Sequence, residues 1–195
     1  MELLLGVFTA FGLSASTGLN AYLPLLVVSL MARFTDWITL SQPWDAMESW
    51  WVIGVLAVLS TIEFFADKVP AVNHINDAIQ GFVRPAAGAI AFAASAKVIT
   101  DVSPVLALIL GLLVSGSVNA VKSLAVRPMV TATTGGTGNI PVSMAEDVIS
   151  TFVSILAIVL PILMMLFVLI LVFITIKLLM KRSPSRRRYE IRSHL

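Results

Sequence analysis

Ser60, Glu63 and Asp67 stand three and four residues apart in an otherwise apolar run, and Ser115, Asn119 and Lys122 repeat that spacing in another. On a helix, residues so spaced share one face. A lone charge at the middle of a bilayer costs about 2.5–3.5 kcal/mol on insertion scales, so each stripe must face a partner or water. The simplest arrangement sets Glu63 against Lys122. In it Glu63 and Asp67, with Lys68 and Asp77 beside them, gate the site or couple it to protons or cations. Arg84 precedes Pro85 at what reads as the start of a helix, where the macrodipole favours an anion over a cation. Something negative must therefore lie close to it, either Asp67 or Asp77 or a bound anionic group. Arg127, before Pro128, raises the same question. Arg84, Lys122 and Arg127 are thus candidates to attract an anion, and the alternative is a set of ion pairs that only locks helices together.

Thr131 to Ser143 reads TATTGGTGNIPVS between two strongly apolar segments. Gly135 and Gly136 let backbone N–H groups turn inward as an anion-binding nest, while the hydroxyls of Thr133 and Thr134 and the amide of Asn139 add neutral donors. Carbonyls turned inward would coordinate a cation instead, and a re-entrant loop filling a void is the third reading. The valine-glycine-tyrosine core of a potassium filter is missing, and no Gly-Lys-Ser/Thr follows to make a P-loop. Ser143-Met144-Ala145-Glu146 has the form of a capping box opening the last helix, which gives Glu146 and Asp147 structural roles. The chain has no cysteine and only His74 and His194, so thiolate chemistry is excluded and no metal or other cofactor is expected. His74 reads as an interfacial hydrogen-bonding residue.

The elements that must position these groups are helices in lipid. Of 195 residues, 58% are hydrophobic, and the mean hydropathy is +0.96, well above a soluble domain. Apolar stretches fall at 2–13, 17–33, 50–66, 84–100, 104–126 and 146–180, and a span needs about 20 residues. The expected fold is therefore all-α: a polytopic helical membrane protein with five or six hydrophobic segments, at least one broken helix or re-entrant loop, and a weak internal repeat. The first stretch has no basic residue before it, so it is expected to be retained rather than cleaved. Five full crossings place the N-terminus outside, and a re-entrant first segment reverses that. The break falls at Ser14-Ala15-Ser16-Thr17-Gly18-Leu19-Asn20, with Ser16, Thr17 and Asn20 as its polar residues. Such breaks survive at membrane depth only where protein or a wet cavity satisfies the freed backbone.

Trp37, Trp44, Trp50 and Trp51 mark an interfacial belt. Residues 86–96 form a helix almost without side-chain bulk, suited to a central position. Ser103-Pro104 supplies an N-cap and a first-turn proline, and Pro161 gives the long last helix a kink. Val83-Arg84-Pro85 recurs as Val126-Arg127-Pro128, and Thr17-Gly18-Leu19-Asn20 is loosely matched by Thr137-Gly138-Asn139. Paired interruptions of this kind point to a transporter site. The net charge of +2 is carried by residues 181–195 and Lys177, leaving the rest acidic. One transmembrane domain over 1–180 and a basic tail over 181–195 follow. The tail places the C-terminus in the cytoplasm, against anionic lipid rather than nucleic acid.

Gly12-Leu13 to Pro24, Glu63-Phe64-Phe65-Ala66-Asp67-Lys68-Val69-Pro70, Arg84-Pro85-Ala86-Ala87-Gly88-Ala89, and Thr133-Thr134-Gly135-Gly136 with Asn139, Pro141, Ser143, Glu146 and Asp147 together resemble an uncharacterised bacterial multi-pass membrane family, domain of unknown function 4126. The likeness covers nearly all of the chain except the basic tail, and it implies the fold class and a bacterial cytoplasmic (inner) membrane, without implying an activity. The chain departs from the family at Asn73, where an aspartate is expected before the histidine. The leading functional expectation is transport or translocation of a small anionic or phosphate-bearing substrate, including a lipid headgroup. Membrane lipids, and a second copy of the chain, are the expected partners. A membrane enzyme acting on a lipid phosphate, with Glu63, Asp67 or Asp77 as acid or base, ranks second. A non-catalytic scaffold whose tail holds a partner is the third reading.

Overall fold

The computed structural model describes residues 2–68 and 70–163, with positions 166, 170, 173 and 177 beyond them. The basic tail and the side chains of Asn73 and His74 lie outside the described residues. Helices α1 (Glu2–Thr17), α2 (Tyr22–Phe34), α3 (Trp50–Ala66), α4 (Pro70–Ser95), α5 (Lys97–Val102), α6 (Pro104–Val121), α7 (Arg127–Thr134) and α8 (Asn139–Val159) build the fold. A 3-10 turn over Trp44–Glu48 precedes α3, and a π-helical turn over Lys122–Val126 joins α6 to α7. Among the described residues there is no strand. Two helical stretches, Pro104–Thr134 and Asn139–Val159, are long and apolar enough to cross a bilayer.

The first apolar region is two helices. Thr17 ends α1, and α2 starts at Tyr22. The start of α1 (Leu5, Gly6) and the residues just after α2 (Trp37, Ile38) line one cleft, so the chain reverses at the break and α1–α2 is a helical hairpin. Hydroxyl contacts fix the neighbours of α1. Thr9 donates to the carbonyl of Ala157, and Ser150 to that of Ser16, so α8 runs antiparallel to it. Ser14 donates to the carbonyl of Gly111, and Lys122 to that of Leu19, so α6 runs parallel.

The small-residue stretch is central, as expected: Ala87, Ala89, Ala91, Ala93 and Ala94 of α4 are all buried. It forms a close crossing against α6. A Cβ at Gly88 would overlap the Ser115 side chain, and one at Gly111 would overlap the Gly88 carbonyl and Phe92. At the hairpin tip, a Cβ on Gly18 would come within 2.6 Å of the Ser115 carbonyl and of Val118. Glycine here permits close backbone approach between the helices.

Three sequence expectations about helix ends are corrected. Arg84 is not at a helix start, because α4 begins at Pro70 and passes through Pro85. Proline in a helix interior removes one N–H and crowds the preceding turn, and here Ser115 steadies that turn by donating to the Arg84 carbonyl. The TATTGG segment does not open, because α7 continues to Thr134 and α8 starts at Asn139. Gly135, at φ 62° and ψ 21°, supplies the left-handed stop, so residues 135–138 suffice for the turn. Ser143-Met144-Ala145-Glu146 is consequently no capping box: it lies inside α8, and Pro141 occupies the first turn, where a missing N–H costs nothing. The N-cap at Ser103 is as expected, its Oγ accepting from the Leu106 N–H at 3.2 Å. Helix α8 ends at Val159, one residue before the break at Leu160 and Pro161.

Tryptophans gather near the start of α3, where Trp50 and Trp51 are exposed and the Arg33 guanidinium lies 4.3 Å from the Trp50 ring centre. Trp37 is exposed as well, whereas Trp44 packs against the core.

The α4–α6 crossing yields a test. Gly88→Ala is expected to lower stability by about 1–3 kcal/mol through overpacking. Gly54→Ala, on α3 with nothing within 4 Å of the added carbon, is expected to leave it unchanged or raise it by up to about 1 kcal/mol. Thermal unfolding of the two purified variants in detergent checks the contrast, and equal melting temperatures would contradict the packing described.

Candidate functional site

The bundle exposes many large apolar side chains, while its interior holds charged groups alongside an apolar core. On α3, Val55, Val58, Ile62 and Phe65 are exposed, and on α8 so are Val148, Ile149 and Phe152. The buried faces carry the ions: Glu63 and Arg84 are each 1% exposed, and Asp67 and Lys122 are each 3% exposed. Ser60, Glu63 and Asp67 turn inward together, as do Ser115, Asn119 and Lys122, in keeping with their spacing.

Asp67 is the hub. Its Oδ2 lies 3.4 Å from Arg127 Nη2 and 3.8 Å from Arg84 Nη2. The same oxygen accepts from Ser143 Oγ at 3.2 Å, and Oδ1 accepts from Asn76 Nδ2 at 2.6 Å. Arg84 extends to Glu63 Oε1 at 3.1 Å and to Asn119 Oδ1 at 3.2 Å. Arg127 extends to Glu146 Oε2 at 2.8 Å, and Lys122 Nζ reaches that same oxygen at 2.9 Å. Lys68 and Asp147 close the far side at 3.3 Å. The expected Glu63–Lys122 pair is thus replaced. Helix α4 stands between α3 and α6, so Arg84 intercepts Glu63 and leaves Lys122 to Glu146. Four carboxylates (Glu63, Asp67, Glu146, Asp147) meet four cations (Lys68, Arg84, Lys122, Arg127), and the formal charge of the network is zero.

The hairpin tip enters this network through its own backbone. A helix break leaves N–H groups free at one end and carbonyls free at the other. The Ala21 N–H donates to the Glu63 carboxylate, at 3.2 Å from Oε2, and the Leu19 carbonyl accepts from Lys122 Nζ at 2.7 Å. Asn20 Oδ1 accepts from the N–H groups of Tyr22 and Leu23, and its amide donates to Asp147. Ser16 and Thr17 are buried beside it, Ser16 against Ser154 and Thr17 with its Oγ1 3.0 Å from Ser115 Oγ. All three polar residues of the break therefore face protein.

Apart from Ser143 at its end, the threonine and glycine segment makes none of these contacts among the described residues. Thr133 and Thr134 are exposed and donate to carbonyls of their own helix. The Asn139 amide donates to Thr131 Oγ1, and the space beside Gly135 and Gly136 is open. Asp77 is half-buried on α4 and has no ion pair among the described residues. The residues that sequence reasoning underrated are Glu146 and Asp147, read as cap residues although charges at the head of an apolar run are themselves a signal. Among the described residues, no group of three or more histidine, aspartate or glutamate side chains is arranged to hold a metal ion.

An all-helical bundle with spanning-length apolar helices, a broken-helix hairpin and a neutralised ionic interior is the class of protein that these features define. The chain belongs to the family described as domain of unknown function (DUF4126), whose model matches residues 7–181. No curated protein matches the chain, and neither does any solved structure.

Breaking one member of the network leaves its partners buried and uncompensated. Arg84→Ala is expected to cost about 3–5 kcal/mol, whereas Thr133→Ala, which removes only a hydroxyl bonded to its own helix, should cost under about 1 kcal/mol. Unfolding in denaturant, followed by tryptophan fluorescence, compares them. Similar losses would show that the ion pairs do not dominate.

Proposed function

We propose that the protein is a polytopic membrane transporter of a small anionic or phosphate-bearing substrate, and that the α1–α2 tip with its ion network is the substrate gate. The observation that carries this reading is the break between α1 and α2, where the Leu19 carbonyl and the Ala21 N–H are both held by charged side chains. Discontinuous helices in secondary transporters place substrate anions at half-helix N-termini and cations at half-helix C-termini. Here Glu63 takes the anion's position and Lys122 the cation's. The hairpin re-enters rather than crosses. Its helices have 16 and 13 residues, about 24 and 20 Å long, against a hydrocarbon core of about 30 Å. The N-terminus then lies on the membrane face that α2 returns to. The stretches of spanning length, Pro104–Thr134 and Asn139–Val159, cross the bacterial inner membrane beside the hairpin.

Neutrality sets how an anion enters. Every cation of the network is within 4 Å of a carboxylate, so a lone anion would add an uncompensated charge to a buried site. Protonating one carboxylate removes that obstacle and leaves an arginine with donors to offer. Glu63 and Asp67 thereby act as the coupling groups, and Arg84 and Arg127 as the anion ligands. Transport is electroneutral for a monovalent anion, with one proton moving with it.

Reconstituted protein is expected to take up radiolabelled phosphate or small organophosphates into liposomes when the outside is acid. Arg127→Ala should lower that flux at least tenfold in protein that elutes as folded material, and Thr133→Ala should leave it near wild type. Flux that survives in Arg84→Ala and Arg127→Ala, or that ignores the pH gradient, would overturn the assignment.

A further inference from the structure

Lys122 is placed unlike the other cations of the network. Arg84 and Arg127 each reach two carboxylates, as a forked guanidinium does. Lys122 instead presents a compact ammonium to one backbone carbonyl and one carboxylate oxygen: Leu19 O at 2.7 Å and Glu146 Oε2 at 2.9 Å. The carbonyl lies in the short link between α1 and α2, two residues past Thr17. A backbone carbonyl in the link of a helix break, with a carboxylate across from it, makes a site for a small monovalent cation. Lys122 enters it from the start of the π-helical turn after α6 on a flexible stem, and its side chain is 3% exposed.

We propose that the Leu19 carbonyl and the Glu146 carboxylate form a monovalent-cation site that this protein fills with its own Lys122 ammonium. Charge supports the assignment. Removing Lys122 leaves four carboxylates against Lys68, Arg84 and Arg127, an excess of one negative charge, which one monovalent ion restores to zero. Geometry supports it too: cutting the side chain back to a methyl group vacates the place of the ammonium, between the Leu19 carbonyl at 2.7 Å and Glu146 Oε2 at 2.9 Å. Ammonium, methylammonium and potassium, which is close to ammonium in radius, are therefore the cations that should occupy the vacated place. The site does not depend on the transport reading. If both hold, the tethered ammonium relieves the protein of any need for a mobile coupling cation at this position.

The test reads stability, so it needs no substrate. Full-length Lys122→Ala and Lys122→Met, the second keeping most of the aliphatic volume, are purified in detergent and melted in chloride salts of ammonium, methylammonium, potassium and choline at equal ionic strength. Ammonium, methylammonium and potassium are expected to raise the melting temperature of Lys122→Ala by about 5 °C or more over choline, as binding to the folded state alone requires, while wild type is indifferent to the cation. Adding Glu146→Gln to Lys122→Ala should abolish the difference. Equal melting in all four salts would overturn the proposal, as would a cation effect that survives Glu146→Gln. Recovery of folded Lys122→Ala only in the small cations would support it. Failure of both Lys122 variants to fold in every salt would overturn it, because a free ion would then be unable to replace the tethered one.

Discussion

A carboxylate held between two guanidiniums organises this molecule. Asp67 sits beneath an apolar exterior, where an ionised group survives only if it is paired and hydrogen-bonded. Arg84 and Arg127 come to it from separate helices, and each carries a second acid with it, Glu63 for Arg84 and Glu146 for Arg127. Helices α3, α4, α7 and α8 are therefore fixed relative to one another by a single neutral group of charges. The glycines at 88 and 111 serve the same end by a different route, since they bring α4 and α6 close enough for Asn119 to meet Arg84.

Around that ionic centre runs a ladder of hydroxyls. Thr9, Ser14, Ser16, Ser150 and Ser154 join α1 to α6 and α8, largely through backbone carbonyls. Such bonds are individually modest, about 0.6 kcal/mol on average between membrane helices. They fix register more than strength. Buried ion pairs behave similarly: the desolvation of the charges offsets much of the attraction, so their main effect is to make wrong arrangements expensive.

Spacing alone made several features legible. The three-and-four rhythm of Ser60, Glu63 and Asp67, and of Ser115, Asn119 and Lys122, places both stripes on buried faces, and the polar cluster at Ser16, Thr17 and Asn20 marks the break. Partner choice was not legible, because it depends on which helix stands between two others, and periodicity carries no such information. Helix ends misled where tertiary contacts outweighed local preference. Pro85 reads as a start, yet Ser115 supports the helix across it. Ser143 reads as a cap, yet its hydroxyl is used by Asp67. Glycine and threonine at 133–138 read as a ligand loop, and the threonines instead donate to the last turns of α7.

The hairpin tip is fastened by two bonds of opposite polarity, one to α3 through Glu63 and one to α6 through Lys122. Both fastenings are made to side chains that are themselves buried and paired elsewhere, so each release would leave a backbone dipole without its charged partner. A displacement of the tip is thus an all-or-none event, and the hairpin is mechanically a latch with discrete positions, stiff against small forces and free only once both fastenings have let go.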